Sequence, residues 1–315
     1  MCGSSPTRSN LALPMAKHPR TSEETLQSLW GGYGRLVRIR DEQGTRIVKD
    51  VRWPSGRGDD SHRRKLRSYR IEAQWYARWA SKVPASCRIS SCIRISSRPD
   101  GMILEMEDLD AAGYSRRASR LDERDLRAAI GWLARFHAHF MGVVPEGLWK
   151  EGSYWHLATR GKEFDAMPRG SLRDAAKELD RRLSQARFRT IVHGDAKPDN
   201  FCLGIPGEIA MVDFQYAGGG CGMRDLAYLV DCVFDAAITD AAIGSVLDGY
   251  FEVFRAALAP DRVSQADEIE AEWRGLFPVA WLDFQRFLQG WSPAYARPSA
   301  ALEKRIRLEL ERMRD

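Results

Sequence analysis

The sequence has no long apolar run, few cysteines and no extended basic tract, and each of these features argues against a class of protein. No stretch of its 315 residues approaches the roughly 20 apolar residues that a membrane-spanning helix needs, so we expect no membrane partner. The six cysteines have no metal-type spacing. Because the sequence offers no secretory context, we interpret them as reduced thiols of a cytoplasmic protein.

The charge of the chain is modest and scattered. The net charge is +5 and the basic residues form no long run, so we predict no nucleic-acid partner. A hydrophobic fraction of 44% and a charged fraction of 29% are typical of a globular protein. Residues 1–20 contain no acidic residue and no apolar signal core, and we expect them to form a disordered extension.

The most informative stretch is His-Gly-Asp-Ala-Lys-Pro-Asp-Asn at residues 193–200, which Asp213 follows within an apolar run. Asp195 is suited to orient a substrate hydroxyl and accept its proton. Asn200 and Asp213 offer an amide oxygen and a carboxylate, and Mg²⁺ on ATP prefers oxygen ligands of this kind. The pattern therefore predicts phosphoryl transfer, with ATP and Mg²⁺ as the cofactors.

The flanks of this motif predict its local structure. Residues 201–203 and 208–212 are short apolar runs joined by a Pro-Gly turn, so we expect two strands that bring Asn200 and Asp213 side by side. A chance cluster of turn residues is the alternative, because aspartate and asparagine often cap turns.

Residues 192–201, 212–215 and 218–227 resemble the aminoglycoside phosphotransferase and choline kinase superfamily, and they look most like its ecdysteroid-kinase-like branch. The likeness extends over most of the chain. It implies a bilobal, protein-kinase-like α/β (α+β) fold, with a small β-rich N-terminal lobe and a larger, mostly helical C-terminal lobe. It also implies ATP-dependent phosphorylation of a small-molecule hydroxyl.

The chain departs from protein kinases at two positions of the motif. Gly194 stands where protein kinases usually have an arginine that pairs with an activation-loop phosphate, and Gln215 replaces the glycine of Asp-Phe-Gly. We therefore expect no regulation by activation-loop phosphorylation. Lys197-Pro198, by contrast, has the protein-kinase form, so we expect Lys197 to be a catalytic residue that steadies the transferred phosphoryl group.

A kinase-like lobe also needs a phosphate-covering loop and a strand lysine. Gly31, Gly32 and Gly34 lie between two β-like runs, where backbone N–H groups can approach phosphates. Lys49 follows in a predicted strand, on the same face as two apolar neighbours, so its charge needs an anionic partner such as a phosphate. The alternative is an edge lysine whose charged end reaches water.

A helix is predicted over residues 62–83 from apolar residues at three- and four-residue spacing. Glu72 borders its apolar face and resembles the helix glutamate that pairs with the strand lysine of the superfamily, here Lys49. A solvent-exposed Glu72 beside Arg70 or Arg78 is the alternative.

Residues 102–109 resemble the last strand of the small lobe running into the hinge. The resemblance implies that the backbone of Glu107 and Leu109 binds adenine, with Met106 flanking the pocket. A plain strand and turn would look the same, because backbone contacts leave no signature in the side chains.

The acceptor site has the weakest signal. Residues 281–291 predict an aromatic helix that carries Asp283 and Arg286 one turn apart. These two could face the substrate, although we favour their pairing with each other on the surface. No dense carboxylate cluster suits a polycationic aminoglycoside, so an apolar or moderately polar alcohol is at least as good a candidate.

We therefore predict an extension at 1–20, a nucleotide-binding lobe at 21–107 and a catalytic and substrate lobe at 108–315. The predicted enzyme is a small-molecule kinase that transfers the ATP γ-phosphoryl group to a hydroxyl. Two other functions remain open: a catalytically silent nucleotide-binding regulator of the same fold and, with less support, a protein kinase. The oligomeric state is not predicted.

Overall fold

The computed structural model describes residues 21–54, 58–234, 238–292 and 299–313, so the expected extension at 1–20 lies outside the described residues. The N-terminal part contains five strands and one helix: β1 (Ser22–Ser28), β2 (Gly34–Asp41), β3 (Gly44–Arg52), α1 (Asp60–Arg78), β4 (Cys92–Arg98) and β5 (Gly101–Glu107).

The rest of the described chain is mainly helical, with four short strands around the motif at residues 193–200. Its elements are α2 (Glu123–His139), α3 (Gly161–Ala166), α4 (Ser171–Ser184), β6 (Thr190–Val192), β7 (Phe201–Leu203), β8 (Ile209–Met211), β9 (Gly218–Gly220), α5 (Met223–Val233), α6 (Asp240–Ala257), α7 (Ala266–Trp291) and α8 (Ala300–Arg312). No helix in the described ranges combines the length and the apolar character that crossing a membrane requires.

The N-terminal sheet is antiparallel, with the strand order β1-β2-β3-β5-β4. A tight turn joins β2 to β3, and Gly44 takes φ of 112° there, in the region that favours glycine. Lys49 lies in the central strand, opposite Leu36 of β2 and Leu104 of β5. A lysine at this place is surrounded by the sheet, which excludes the edge position considered for it.

Helix α1 begins where Asp59 accepts a hydrogen bond from the His62 N–H at 2.9 Å. It ends at Arg78, earlier than the predicted residue 83, and a 3₁₀ turn at Ala80–Lys82 completes the segment. Its buried face includes Tyr69, Glu72 and Trp75. The apolar spacing therefore predicted the buried face of the helix but not its last turn.

Two small β ladders hold the motif. β7 pairs with β8 in antiparallel register, as the sequence predicted, and Gly207 in the turn between them takes φ of 94°. β6 pairs with β9. The Trp75 ring of α1 stacks on Phe214, with ring centroids 4.3 Å apart and planes 7° apart, and so connects this helix to the residue after Asp213.

The five cysteines of the described ranges are unpaired: Cys87, Cys92, Cys202, Cys221 and Cys232.

Candidate active site

A large cleft of about 1640 Å³ lies between the N-terminal sheet and the helical part of the chain. The sheet side contributes Leu36, Ile47 and Lys49, and the opposite side contributes the motif. The candidate residues that line the cleft are Gly31, Lys49, Glu72, Met106, Glu107, Leu109, Asp195, Lys197, Asn200 and Asp213.

Lys49 joins the two sides of this cleft. Its Nζ donates to both carboxylate oxygens of Glu72, at 2.9 and 2.7 Å, and to Oδ1 of Asp213 at 3.0 Å. Lys49 is 5% exposed and Glu72 is 1% exposed, so neither fits the alternatives of an edge lysine or a solvent-exposed helix glutamate. The central strand and the helix therefore hold a buried cation next to the candidate metal ligand.

The protonation of this trio follows from burial and charge. Burial alone lowers the pKa of Lys49, but the carboxylates of Asp213 and Glu72 outweigh it, so the pKa lies above its ordinary value. Burial likewise opposes ionisation of Asp213, yet the charge of Lys49 holds the pKa of that carboxyl below its ordinary value. Asp213 is therefore an ionised carboxylate, as a metal ligand must be.

Asp195 lies in the loop after β6, and Asp225 holds the backbone of that loop. The Asp225 carboxylate accepts the His193 N–H at 2.6 Å and the Gly194 N–H at 2.8 Å, and its Oδ2 lies 3.1 Å from Nε2 of His137. All three contacts are buried, where charge-assisted hydrogen bonds are strongest. Asp225 therefore fixes the backbone of the loop at His193 and Gly194.

Asn200 links Asp195 to the backbone next to Asp213. Its Nδ2 donates to the Asp195 carbonyl at 2.7 Å and to Oδ2 of Asp195 at 3.1 Å, while its carbonyl accepts the Val212 N–H at 3.1 Å. Asp213 follows at once with φ of 68°, the only non-glycine residue with positive φ among those the structure describes. This unusual backbone directs a one-third-exposed carboxylate into the cleft.

Asn200 and Asp213 fit a Mg²⁺ ion. With Nδ2 of Asn200 occupied, its amide oxygen accepts no hydrogen bond from the described residues and is free to bind a cation. No group of three or more His, Cys, Asp and Glu in the described ranges could hold a metal ion. Such a sparse donor set suits Mg²⁺, which usually combines one or two protein ligands with phosphates and water.

Asp195 and Lys197 carry opposite charges at the same point of the cleft. Burial raises the pKa of Asp195 above its ordinary value, against the effect of Lys197. The Asp195 charge in turn raises the pKa of Lys197, which therefore stays protonated. The arrangement can accept a proton at Asp195 and stabilise an anion at Lys197.

The three candidate loop glycines all have positive φ. Gly31 and Gly32 form part of a 3₁₀ turn between β1 and β2, with φ of 71° and 80°. Gly34 has φ of 117°, and a Cβ there would stand 1.9 Å from the Asp50 carbonyl oxygen. Glycine at residue 34 is thus needed for the close approach of β2 to β3.

The hinge candidates lie where β5 ends. The Leu109 N–H has no hydrogen-bond partner among the described residues, and Leu109 lines the cleft together with Met106. The Glu107 N–H donates to the Ser91 carbonyl at 2.9 Å, and the Glu107 carbonyl accepts from Ser90 Oγ at 3.0 Å. Leu109 thus has a free backbone N–H that could donate to an adenine. The Glu107 carbonyl oxygen retains one lone pair that could accept a hydrogen bond.

Asp283 and Arg286 lie elsewhere than the sequence suggested. Their side chains are fully buried, they pair with each other at 2.7 Å, and neither lines the cleft. Arg286 also donates to the Trp155 carbonyl at 2.8 Å. The expectation of direct substrate contact is therefore not supported, and the favoured alternative was wrong in placing the pair on the surface.

The other face of the same helix lines the cleft, through Phe284, Phe287, Leu288 and Trp291. These residues repeat at three- and four-residue spacing, a signal that the sequence contained. Tyr154, Arg160 and Lys65 also line the cleft and had no recognisable pattern. They extend the cleft beyond Asp195 into an aromatic and basic region.

The β-rich lobe carries a lysine–glutamate pair and faces a helical lobe with an Asp-Asn-Asp motif. This arrangement is a protein-kinase-like fold, and it confirms the expected fold class. The chain belongs to the phosphotransferase enzyme family, whose sequence profile matches residues 25–263. No curated protein sequence matches the chain.

The chain is similar to several solved structures at low sequence identity. The ethanolamine kinase of Plasmodium vivax is 13% identical, with a TM-score of 0.50 over 92% of this chain and 81% of that one. An aminoglycoside-3'-phosphotransferase of type VIII is 18% identical, with a TM-score of 0.48 over 81% and 94%. A choline kinase from Streptococcus pneumoniae is 15% identical, with a TM-score of 0.47 over 92% of each chain.

Proposed function

We propose that this phosphotransferase moves the γ-phosphoryl group of MgATP to a hydroxyl of a small molecule. The observation that carries the proposal is the bridge from Lys49 to Glu72 and Asp213, which lies in one cleft with the linked pair Asp195 and Asn200. Positioning and charge neutralisation are what phosphoryl transfer chiefly requires, and this set supplies both.

Each residue has a role in this scheme. Lys49 binds the nucleotide phosphates, and Glu72 orients Lys49. Gly31, Gly32 and Gly34 let the backbone cover the phosphates. Asn200 and Asp213 would hold Mg²⁺, which would neutralise phosphate charge. The hinge at Met106, Glu107 and Leu109 takes the adenine, chiefly through the free Leu109 N–H.

The transfer needs one base and one anchoring cation. Asp195 accepts the hydroxyl proton as the substrate oxygen bonds to the γ-phosphorus and the bond to the ADP oxygen breaks. Lys197 stabilises the phosphoryl oxygens during this step. The raised pKa of Asp195, caused by burial, makes it a stronger base than an exposed aspartate.

Three finer assignments belong to the same proposal. We place the lobe boundary near residue 107, where β5 ends, with the nucleotide lobe at 21–107 and the catalytic lobe at 108–315. The motif residues favour the ecdysteroid-kinase-like branch, and the cysteines without a secretory context favour a cytoplasmic enzyme. The acceptor, by contrast, depends on the aromatic part of the cleft rather than on the motif.

The test is incubation with ATP and Mg²⁺ and separate panels of alcohols, amino alcohols and proteins, with ADP formation and product mass as readouts. We expect a phosphorylated small molecule. Phosphorylated protein without a small-molecule product would replace the proposal by a protein kinase. Tight MgATP binding with no product in any panel, unchanged by Asp195→Asn, would favour a silent nucleotide-binding regulator.

A further inference from the structure

Three basic residues form a cluster on the cleft wall that the proposed transfer does not use. Arg64 and Lys65 lie on α1, and Arg160 lies just before α3; all three line the cleft. We call these three residues the basic corner. The proposed transfer assigns the phosphate contacts to Lys49 and Lys197, and it gives no role to the charge of the basic corner.

Lys65 has no counterion at hydrogen-bond distance. Its ammonium makes no hydrogen bond and no ion pair with residues 21–54, 58–234, 238–292 or 299–313. It is nevertheless half-buried, and burial together with the charges of Arg160, Lys49 and Arg64 lowers the pKa of Lys65 to about 8, although Asp213 acts in the opposite direction. A lysine held in this way is poised to gain from an anion.

Arg160 is also incompletely paired, and it is only 2% exposed. Its Nε donates to the Tyr154 carbonyl at 2.6 Å and one terminal nitrogen to Glu163 at 3.0 Å, but the other terminal nitrogen has no partner. A buried guanidinium with an unused donor is costly unless a ligand satisfies it. This is a second observation, independent of Lys65, that points to a bound anion.

The charges of the corner do not balance. Glu163 pairs with Arg160 at 3.0 Å and lies 3.8 Å from Arg64, so it serves two of the three cations and leaves Lys65 without a carboxylate at ion-pair distance among the described residues. The Nε of Arg64 is buried and unpartnered as well. The corner therefore keeps an excess of positive charge in a partly enclosed space, where attraction to an anion is stronger than in bulk water.

The corner adjoins the acceptor part of the cleft. The Arg160 guanidinium lies 4.0 Å from the ring centroid of Tyr154 and 5.2 Å from that of Phe287, a residue of α7 that lines the cleft. The Tyr154 N–H donates to the Gly194 carbonyl at 2.7 Å, next to Asp195 in sequence. Tyr154 therefore contacts both Arg160 and the catalytic loop, so a ligand bound to Arg160 would lie close to that loop.

We propose that the acceptor alcohol carries an anionic group, a carboxylate or a phosphate, which binds to Lys65 and Arg160 while its hydroxyl faces Asp195. The inference rests on the proposed function. The aromatic rings of Tyr154 and Phe287 accommodate an apolar body between the anionic group and the hydroxyl. The basic corner argues against a polycationic acceptor, since it would repel one.

The γ-phosphate of ATP is the other possible source of the anion, and nucleotide analogues distinguish the two. Binding of inorganic phosphate is measured by calorimetry on the protein saturated with Mg-ADP and, separately, with Mg-AMP-PNP. We expect phosphate to bind in both states. Binding with Mg-ADP that disappears with Mg-AMP-PNP would assign the corner to the γ-phosphate and overturn the proposal.

Two variants locate the site. We expect Lys65→Met to weaken phosphate binding to the Mg-AMP-PNP complex about tenfold, the loss of one charge-assisted hydrogen bond. Lys177→Met makes the same change on the exposed face of α4 and should leave the affinity unchanged. Equal phosphate affinity in the wild-type chain and Lys65→Met would overturn the assignment.

Arg160 is tested by replacement with a residue that keeps its charge. Arg160→Lys should fold, because it retains a cation beside Glu163, and should still lose most of the phosphate affinity, because a lysine lacks the second terminal donor. Phosphate binding needs no turnover, so Asp195→Asn should bind phosphate as tightly as the wild-type chain does. A wild-type chain that binds phosphate but phosphorylates no acceptor would refute the proposed transfer but not the anion site.

Discussion

The backbone carbonyl oxygen of Tyr216 lies 2.3 Å from the place where a Cβ of residue 194 would stand, and Gly194 itself takes φ of 79°. The glycine that distinguishes this motif from protein kinases is therefore required by the backbone. The same residue donates its N–H to Asp225 and accepts the Tyr154 N–H at 2.7 Å. At this position, where protein kinases usually have the regulatory arginine, this chain has a close backbone approach between Gly194 and Tyr216.

We expect Gly194→Ala to destabilise the fold and reduce turnover, because it adds strain and a steric overlap. The left-handed backbone costs about 1–2 kcal/mol for a residue with a Cβ, and overpacking typically adds about 1–3 kcal/mol. Gly44→Ala is the matched control, since Gly44 has φ of 112° with open space around it. Equal losses of Tm in the two variants would show that the close approach of Tyr216 to residue 194 adds nothing to the loss of stability.

Replacing the proposed base should remove turnover and keep the nucleotide. Asp195→Asn preserves the shape of the side chain and its contact with Asn200, which lies 3.1 Å away. A positioned base typically contributes about 100-fold or more, so kcat should fall by at least that factor while the MgATP dissociation constant stays the same. Asp174→Asn, an exposed change on α4, controls for general effects, and turnover within about tenfold of wild type would refute the role of Asp195.

Replacing Asp213 should affect nucleotide binding only in the presence of metal. Asp213→Asn removes the one ionised metal ligand, while Glu72 still pairs with Lys49. We expect the wild-type chain to bind ATP more tightly as Mg²⁺ is added and the variant to lose most of that gain. The titration without Mg²⁺ is the internal control, and an identical Mg²⁺ dependence in both proteins would contradict the assignment.

The sequence predicts the motif well because its geometry is local. Asp195, Asn200 and Asp213 lie on one loop and one short hairpin, whose strands and turn have recognisable residue types. Lys49 was predictable as a buried lysine from strand periodicity, but its pairing with Glu72 depended on the resemblance to a superfamily. A contact between a strand and a distant helix has no signature in either segment alone.

The acceptor side was harder for a physical reason. Residues 279–288 of α7 are all buried, including the polar Asp283, Gln285 and Arg286, so polar residues do not mark an exposed face of this helix. Asp283 and Arg286 therefore suggested a site where the structure has an internal ion pair. Lys65 and Arg160 are 95 positions apart in the sequence and come together only through the tertiary fold, so no short pattern could have joined them.

The lowered pKa of Lys65 predicts a pH-dependent effect of its removal. Its pKa is about 8 in the fold and higher in the unfolded chain, because burial disfavours the charge and Arg160, Lys49 and Arg64 repel it, while Asp213 acts in the opposite direction. Below pH 8 the fold bears the full cost of the charge, so Lys65→Met should raise Tm there. The gain should shrink as pH rises above 8 and the lysine loses its proton in the fold.

The measurement is Tm of both proteins from pH 6 to pH 10, without added anions. Lys177→Met provides the control, as an exposed lysine should give no pH-dependent difference. A gain that grows with pH, or a loss of stability at low pH, would show that Lys65 has a stabilising partner and would contradict the account of the basic corner.

The buried pair on α7 should matter for stability and not for substrate binding. Asp283→Asn leaves the charge of Arg286 without its partner at 2.7 Å and weakens the field that Arg224 feels at 3.8 Å. Breaking a buried pair from one side costs about 3–5 kcal/mol, whereas Asp248→Asn, which breaks an exposed pair with Arg274, should cost about 1 kcal/mol or less. Urea unfolding gives both values. An Asp283→Asn chain of normal stability with a raised KM for the acceptor would instead return Asp283 to the substrate site.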